Sequence, residues 1–204
     1  MSEIYALTDD FYTPLNSIED QVKEILDCGI KMVQFRSKKR VINENIISNL
    51  IRICDDYNAN LMINDHVHLA KKLGAHGVHI GKEDSDIKTA RQILGVEKIV
   101  GISCYDSLKL ALDAEENGAS YVAFASSFSS TTKPEAVFLD ENKFISFKQN
   151  LKVKTCLIGG INASNIDQIL KLKPDYIAIV SAIYKPNTIT KNLKTLLNTI
   201  KRTK

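Results

Sequence analysis

The chain has 204 residues, 44% hydrophobic and 25% charged, with a formal net charge of +3 at pH 7. That is enough apolar material for one well-buried domain spanning residues 1–204, and no linker divides it. The charge is too mild to argue for a nucleic-acid partner, and no apolar run approaches the roughly 20 residues of a membrane span.

Taken in chain order, eight runs rich in β-branched residues are expected as strands, with helical patterns between most of them. Met1–Thr8 carries no basic segment ahead of an apolar stretch, so no signal peptide is read and a cytoplasmic location is expected. The first strand is expected at Ile4–Thr8. Phe11, Tyr12 and Pro14 follow it and either wall a site or pack within their loop. Ile18, Val22, Ile25 and Leu26 make a helical stripe that Gly29 stops. The second strand, Met32–Arg36, runs into Ser37-Lys38, and alternation turns Gln34, Arg36 and Lys38 to one side.

Ile46, Ile47, Leu50, Ile51 and Cys54 make the next stripe, before a third strand at Leu61–Asn64. A helix over Val67–Leu73 ends at Gly74, and the fourth strand, Val78–Gly81, breaks into Lys82-Glu83-Asp84. The fifth strand is Ile99–Ser103, followed by a broad helical set, Leu108, Leu110, Ala111, Leu112 and Ala114, that Gly118 stops. The sixth, Tyr121–Ala125, enters a loop, Ser126–Pro134, that holds Ser130, Thr131, Thr132 and Lys133. The seventh, Thr155–Gly159, meets Gly160, after which Asn162 or Ser164 can start a helix striped by Ile166, Ile169, Leu170 and Leu172. The eighth, Tyr176–Val180, leads into Ser181-Ala182, and the basic C-terminal residues suit a solvated helix end.

Alternating strands and helices imply a parallel sheet with right-handed crossovers. Eight such units close into a single (β/α)8 TIM barrel of the α/β class; an open sheet of six or seven strands is the alternative. The four cysteines, 28, 54, 104 and 156, show no metal or redox spacing and are expected reduced and mostly buried.

A barrel places chemistry on the loops that follow its strands. Asp65 and Asp84 would then emerge side by side after the third and fourth strands, a seat for Mg²⁺ shared with substrate phosphates. A helix-capping role for Asp65 is the plainer reading. Arg36 and Lys38 suit a phosphate or pyrophosphate, one by forked bonds and one as a point charge. Gly159 and Gly160 with the amides after Val180 suit a second phosphate. His66 and His68 do not share a helix face and make a poor metal pair. His79 faces into the barrel as a packed or substrate-contacting residue, and His76 is expected on the surface.

These residues resemble the thiamine phosphate synthase/thiazole tautomerase family nearly end to end. The resemblance is carried by V-Q-F-R-S-K (Val33–Lys38), I-N-D-H-V-H-L-A (Ile63–Ala70) and G-V-H-I-G-K-E-D (Gly77–Asp84). It extends to G-I-S-C-Y (Gly101–Tyr105), the S-x-T-K loop ending at Lys133, I-G-G-I (Ile158–Ile161) and V-S-A-I (Val180–Ile183). The resemblance implies coupling of 4-amino-5-hydroxymethyl-2-methylpyrimidine diphosphate to a thiazole phosphate, with Mg²⁺ as cofactor and small phosphorylated molecules as the partners. By resemblance, Asp65 and Asp84 hold the metal, and Arg36, Lys38, Ser103 and Lys133 act on the leaving pyrophosphate with Asn64. Gln34 addresses the pyrimidine, and Ser130 and Thr132 bind substrate. Gly159, Gly160, Val180 and Ser181 belong to the thiazole phosphate site.

Three positions depart from the family pattern: Cys104-Tyr105 where many members have x-His, Ala125-Ser126 where a glycine is usual, and Ser130 for threonine. A thiazole tautomerase or a non-catalytic thiamine- or phosphate-binding relative is the alternative. The tautomerase would use a histidine where this chain has Ser126. Assembly into a homo-oligomer is left open.

Overall fold

A computed structural model describes residues 2–39, 41–81, 86–125, 128 and 140–203. In its first half the elements run β1 (Glu3–Leu7), α1 (Ile18–Asp27), β2 (Met32–Phe35), α2 (Glu44–Asp56), β3 (Asn60–Asn64), α3 (Val67–Leu73), β4 (Gly77–Ile80) and α4 (Ile87–Leu94). They continue as β5 (Ile99–Tyr105), α5 (Leu108–Glu116), β6 (Tyr121–Ala125), α6 (Glu141–Gln149), β7 (Lys154–Ile158), α7 (Ile166–Lys171), β8 (Tyr176–Ile179), α8 (Ser181–Tyr184) and α9 (Ile189–Arg202). All eight strands are parallel and close into a barrel in chain order, β1 pairing with both β2 and β8. The open-sheet alternative is therefore excluded, and the architecture is the (β/α)8 barrel.

Two apolar layers hold it. Outward-facing strand residues such as Val33, Leu61, Val78, Val122 and Ile177 pack under Val22 and Ile25 of α1, Leu50 of α2 and Leu193 of α9. Inside the barrel lie Tyr5, Leu7, Met32, Met62, Tyr121, Ala123, Cys156 and Ala178. Burying one large side chain of this kind contributes about 1.5–3 kcal/mol, so both layers are needed for a barrel of this size. The α1 stripe is buried throughout, and α2 buries Ile47, Leu50 and Cys54. In α5 the buried face is instead the small pair Ala111 and Ala114, while Leu112 is exposed. Leu108 and Leu110 of the expected set are partly buried against the core, and only Leu112 departs from it.

Local chemistry sets the ends. Asn43, Asp86, Ser107, Asp140 and Thr188 accept amide hydrogen bonds in the first turns of α2, α4, α5, α6 and α9. Gly74 ends α3 at φ 75°, a left-handed turn that suits a residue without Cβ. α7 starts at Ile166, later than Asn162 or Ser164; the Asn162 carboxamide accepts from the Ser164 amide and forms a turn ahead of the helix. All four thiols are free, and burial pushes those of Cys54, Cys104 and Cys156 up to about 12. Among the described residues no helix is long and apolar enough to cross a membrane.

Candidate active site

The residues singled out at strand ends gather around the mouth where the strands terminate. Gln34 is buried inside the barrel, its amide donating to the Tyr5 hydroxyl at 2.7 Å. Two residues on, the Arg36 amide donates to the buried Thr8 Oγ1 at 2.9 Å, which fixes the end of β2 against the end of β1. The Arg36 guanidinium lies 3.7 Å from the Asp9 carboxylate, each side chain 18% exposed. Asp10 accepts from the Ser37 hydroxyl and the Lys38 amide, both at 2.7 Å. The loop after β2 is thus held by two carboxylates from the loop after β1.

Lys38 reaches from that loop to the next strand. Its ammonium is 3.7 Å from Asp65 Oδ2, with the Lys38 side chain 65% exposed and that of Asp65 20%. Asn64 donates to the same oxygen at 2.5 Å. Asp65 has φ 66°, an uncommon conformation for a residue with a side chain, and its amide donates to the His79 carbonyl at 2.8 Å. Among the described residues its carboxylate takes no amide of α3, whose N-cap is His66. The helix-cap reading of Asp65 does not hold; the carboxylate faces the Lys38 side of the mouth.

On β4 and β5, His79 Nε2 is 3.0 Å from Ser103 Oγ and His79 Nδ1 is 2.8 Å from the Tyr121 hydroxyl. An irregularity between Ser103 and Tyr105 carries the pairing with β6 two residues beyond the expected strand end. On the far side, Gly159 and Gly160 have φ 123° and 58°. The Gly160 carbonyl accepts from the side-chain Nδ2 of Asn162 and of Asn165, each at 3.0 Å, which pins this turn. Val180 precedes the short helix α8, which starts at Ser181.

The structure therefore brings Gln34, Arg36, Lys38, Asn64, Asp65 and Ser103 together across β2–β5, and sets Gly159, Gly160, Val180 and Ser181 at the ends of β7 and β8. Asp84, Lys133, Ser130, Thr132 and the position of Ser126 lie outside the described residues. No group of three or more metal-binding side chains occurs among the described residues. His76 departs from its expected surface position: it is partly buried, with Nδ1 accepting from the Leu61 amide and Nε2 against Asp55. Tyr12 stacks on Tyr184 with ring centroids 5.5 Å apart, while Phe11 is 82% exposed.

Four residues escaped the sequence reading: Asp9 and Asp10, which brace the cationic loop, and Tyr5 and Tyr121, which connect Gln34 to His79. Two acids directly after a strand were a readable signal. The tyrosines had none beyond inward-facing positions on their strands.

The family model described as thiamine monophosphate synthase matches residues 4–183. A thiamine-phosphate synthase of Nitrosococcus oceani is 37% identical over 188 residues, covering 91% of this chain and 87% of that protein. That of Thioalkalivibrio sulfidiphilus is 36% identical, covering 89% of this chain and 87% of the relative. A solved thiamine phosphate pyrophosphorylase from Pyrococcus furiosus superposes with a TM-score of 0.85 at 28% identity, covering 98% of this chain and 96% of that one. With the barrel closed, the motif residues at its mouth and likeness over nearly the whole length, the chain belongs to the thiamine monophosphate synthase family and is an enzyme of that type.

Proposed function

We propose that the chain carries out its family's coupling at this mouth as one barrel domain acting in the cytoplasm. It joins 4-amino-5-hydroxymethyl-2-methylpyrimidine diphosphate to a thiazole phosphate and releases pyrophosphate. The observation that carries the reading is the grouping of Arg36, Lys38, Asn64, Asp65 and Ser103 at the ends of β2, β3 and β5.

Cleavage of the bond between the pyrimidine methylene and the diphosphate leaves negative charge on the departing group. Arg36, Lys38, Asn64 and Ser103 supply positive charge and hydrogen-bond donors for it, and Lys133 adds a further cation. Gln34 holds the pyrimidine as the thiazole nitrogen captures the cation, while backbone amides around Gly159, Gly160, Val180 and Ser181 hold the thiazole phosphate. Ser130 and Thr132 add hydroxyls on the strand-6 side. No general base is called for.

Asp65 fits a Mg²⁺ site by its chemistry. It offers a hard oxygen at a strand end, and magnesium needs only one or two carboxylates besides phosphate oxygens and water. Asp65 with Asp84 would hold the ion, which when bound neutralises charge on the diphosphate.

The test is formation of thiamine phosphate and release of pyrophosphate from the two substrates, with Mg²⁺ and with EDTA. Product with Mg²⁺ and at least a hundredfold less with EDTA supports the whole reading. Equal rates with EDTA would overturn the metal assignment. Absence of product with both phosphates still bound would favour a binding relative.

A further inference from the structure

Where the main-chain pairing of β1 with β2 ends, side chains carry it on. The Thr8 amide still donates to the Gln34 carbonyl at 2.9 Å. Beyond it the chain after β1 turns back toward α1, and the Asp9 carbonyl is taken by the Thr13 amide and hydroxyl, both at 2.8 Å. The next two rungs come from side chains instead. The Arg36 amide donates to Thr8 Oγ1 at 2.9 Å, and the Lys38 amide to Asp10 Oδ2 at 2.7 Å. These are alternate residues, the spacing at which a continuing strand presents its amides to one neighbour. The other Asp10 oxygen accepts from the Ser37 hydroxyl at 2.7 Å, which itself accepts from the Lys39 amide at 3.2 Å.

The loop that supplies these rungs is itself stiff. The Asp9 carboxylate accepts from the Phe11 amide at 2.9 Å, and Thr8 and Thr13 are buried. Tyr12 stacks on Tyr184, and its carbonyl accepts from Gln21 Nε2 at 2.9 Å. What the rungs carry is not stiff by itself. The Lys38 side chain is mostly exposed and rich in rotamers, so the reach of its ammonium is set largely where its main chain is held. The charge of Asp10 cannot be the useful part. A carboxylate beside Lys38 weakens that cation's pull on a diphosphate, whereas its two acceptor oxygens fix the loop.

We propose that Thr8 and Asp10 are positioning residues for the coupling reaction. Their side chains prolong the β1–β2 ladder into the mouth and hold Arg36 and Lys38 where the leaving pyrophosphate meets them. Both act through hydrogen-bond geometry on the main chain, and neither touches a reacting atom. The proposal rests on the reading of Arg36 and Lys38 as pyrophosphate contacts.

The test pairs calorimetric titration of inorganic pyrophosphate into the whole protein, with Mg²⁺ present, with steady-state kinetics. Asp10→Ala should weaken pyrophosphate binding and raise KM for the pyrimidine diphosphate, each roughly tenfold, with KM for the thiazole phosphate within about twofold. Asp10→Asn should stay within about threefold of wild type in both. Its carboxamide oxygen still accepts from the Lys38 amide, and the Ser37 hydroxyl can turn to accept from its nitrogen. Thr8→Ser, which keeps the acceptor, should likewise bind pyrophosphate more tightly than Thr8→Val, which keeps only the shape. Wild-type pyrophosphate binding in Asp10→Ala overturns the proposal. So does Asp10→Asn no better than Asp10→Ala, which would make charge the working part, or an equal rise in both KM values. Should Asp10→Ala fail to fold, Ser37→Ala takes its place, with about threefold weaker binding expected and an unchanged constant overturning the proposal. Wild-type protein that binds pyrophosphate yet makes no thiamine phosphate overturns the functional reading instead, and the binding measurements still decide this one.

Discussion

The β2–β3 side of the mouth and the β7–β8 side are built from different materials. On the first, the proposed function rests on side-chain ends that lean on one another: Arg36 on Asp9, and Lys38 and Asn64 on one oxygen of Asp65. On the second, it rests on the main chain: two glycines at positive φ, a carbonyl pinned by two asparagines, and the start of α8. Charge carried on side chains can be tuned over several ångströms but is lost with a single substitution. Amides come with the fold, and a side-chain change leaves them in place. Truncation should therefore be severe on one side and slight on the other.

The sharpest break is Arg36→Ala. It removes the cation proposed to face the departing pyrophosphate, so kcat/KM should fall about 10²–10³-fold. KM for the thiazole phosphate should stay near the wild-type value if, as proposed, that group binds across the barrel. Steady-state kinetics with each substrate varied in turn makes the check, and a loss confined to the thiazole side would reverse the assignment of the two halves.

Asp65→Asn comes next, at about 10² in turnover. Asparagine tolerates the left-handed backbone at φ 66° better than most residues, so the change isolates the charge from the turn. The loss should deepen as Mg²⁺ is lowered if the carboxylate is a ligand. A Mg²⁺ titration that leaves the mutant-to-wild-type ratio constant would instead mark Asp65 as an anchor for Lys38 alone.

How much of this could be read from the chain alone follows the same division. Strand ends were legible within a residue or two, because buried parallel strands are apolar runs that break into polar residues at the mouth. Met32–Phe35 ending at Arg36 and Asn60–Asn64 ending at Asp65 are cases in point. β5 overran to Tyr105 because a local irregularity lets pairing with β6 continue. Helix faces were harder: α5 buries Ala111 and Ala114 fully and Leu108 and Leu110 in part, while Leu112, at the edge of that broad apolar set, is exposed. The brace of Asp9 and Asp10 spans 27 to 28 residues of sequence and the Tyr5–Tyr121 contact 116, so neither leaves a local pattern. They exist only once the barrel closes.

On the backbone side, Gly160→Ala tests whether geometry is the working part. Alanine at φ 58° is strained by roughly 1–2 kcal/mol, and relief of that strain would turn the amide away from the phosphate. KM for the thiazole phosphate should rise about tenfold, with kcat at saturation little changed. A drop in kcat with unaltered KM would place this turn in the chemistry.

Ser181→Ala should do least, and it is the most discriminating comparison with Arg36→Ala. Both remove a polar side chain at the end of a strand–loop unit on the same face of the barrel. At Ser181, however, the main chain is held independently of the hydroxyl, its carbonyl accepting from the Lys185 amide at 3.1 Å as α8 closes. Alanine is the best helix former and keeps the N–H, so α8 should persist and the amide should stay where it is. KM for the thiazole phosphate should therefore change by no more than about twofold, the ordinary range for a substitution that breaks no packing. A tenfold rise would show that the hydroxyl itself grips the phosphate. The β7–β8 side would then depend on a side chain much as the β2–β3 side does.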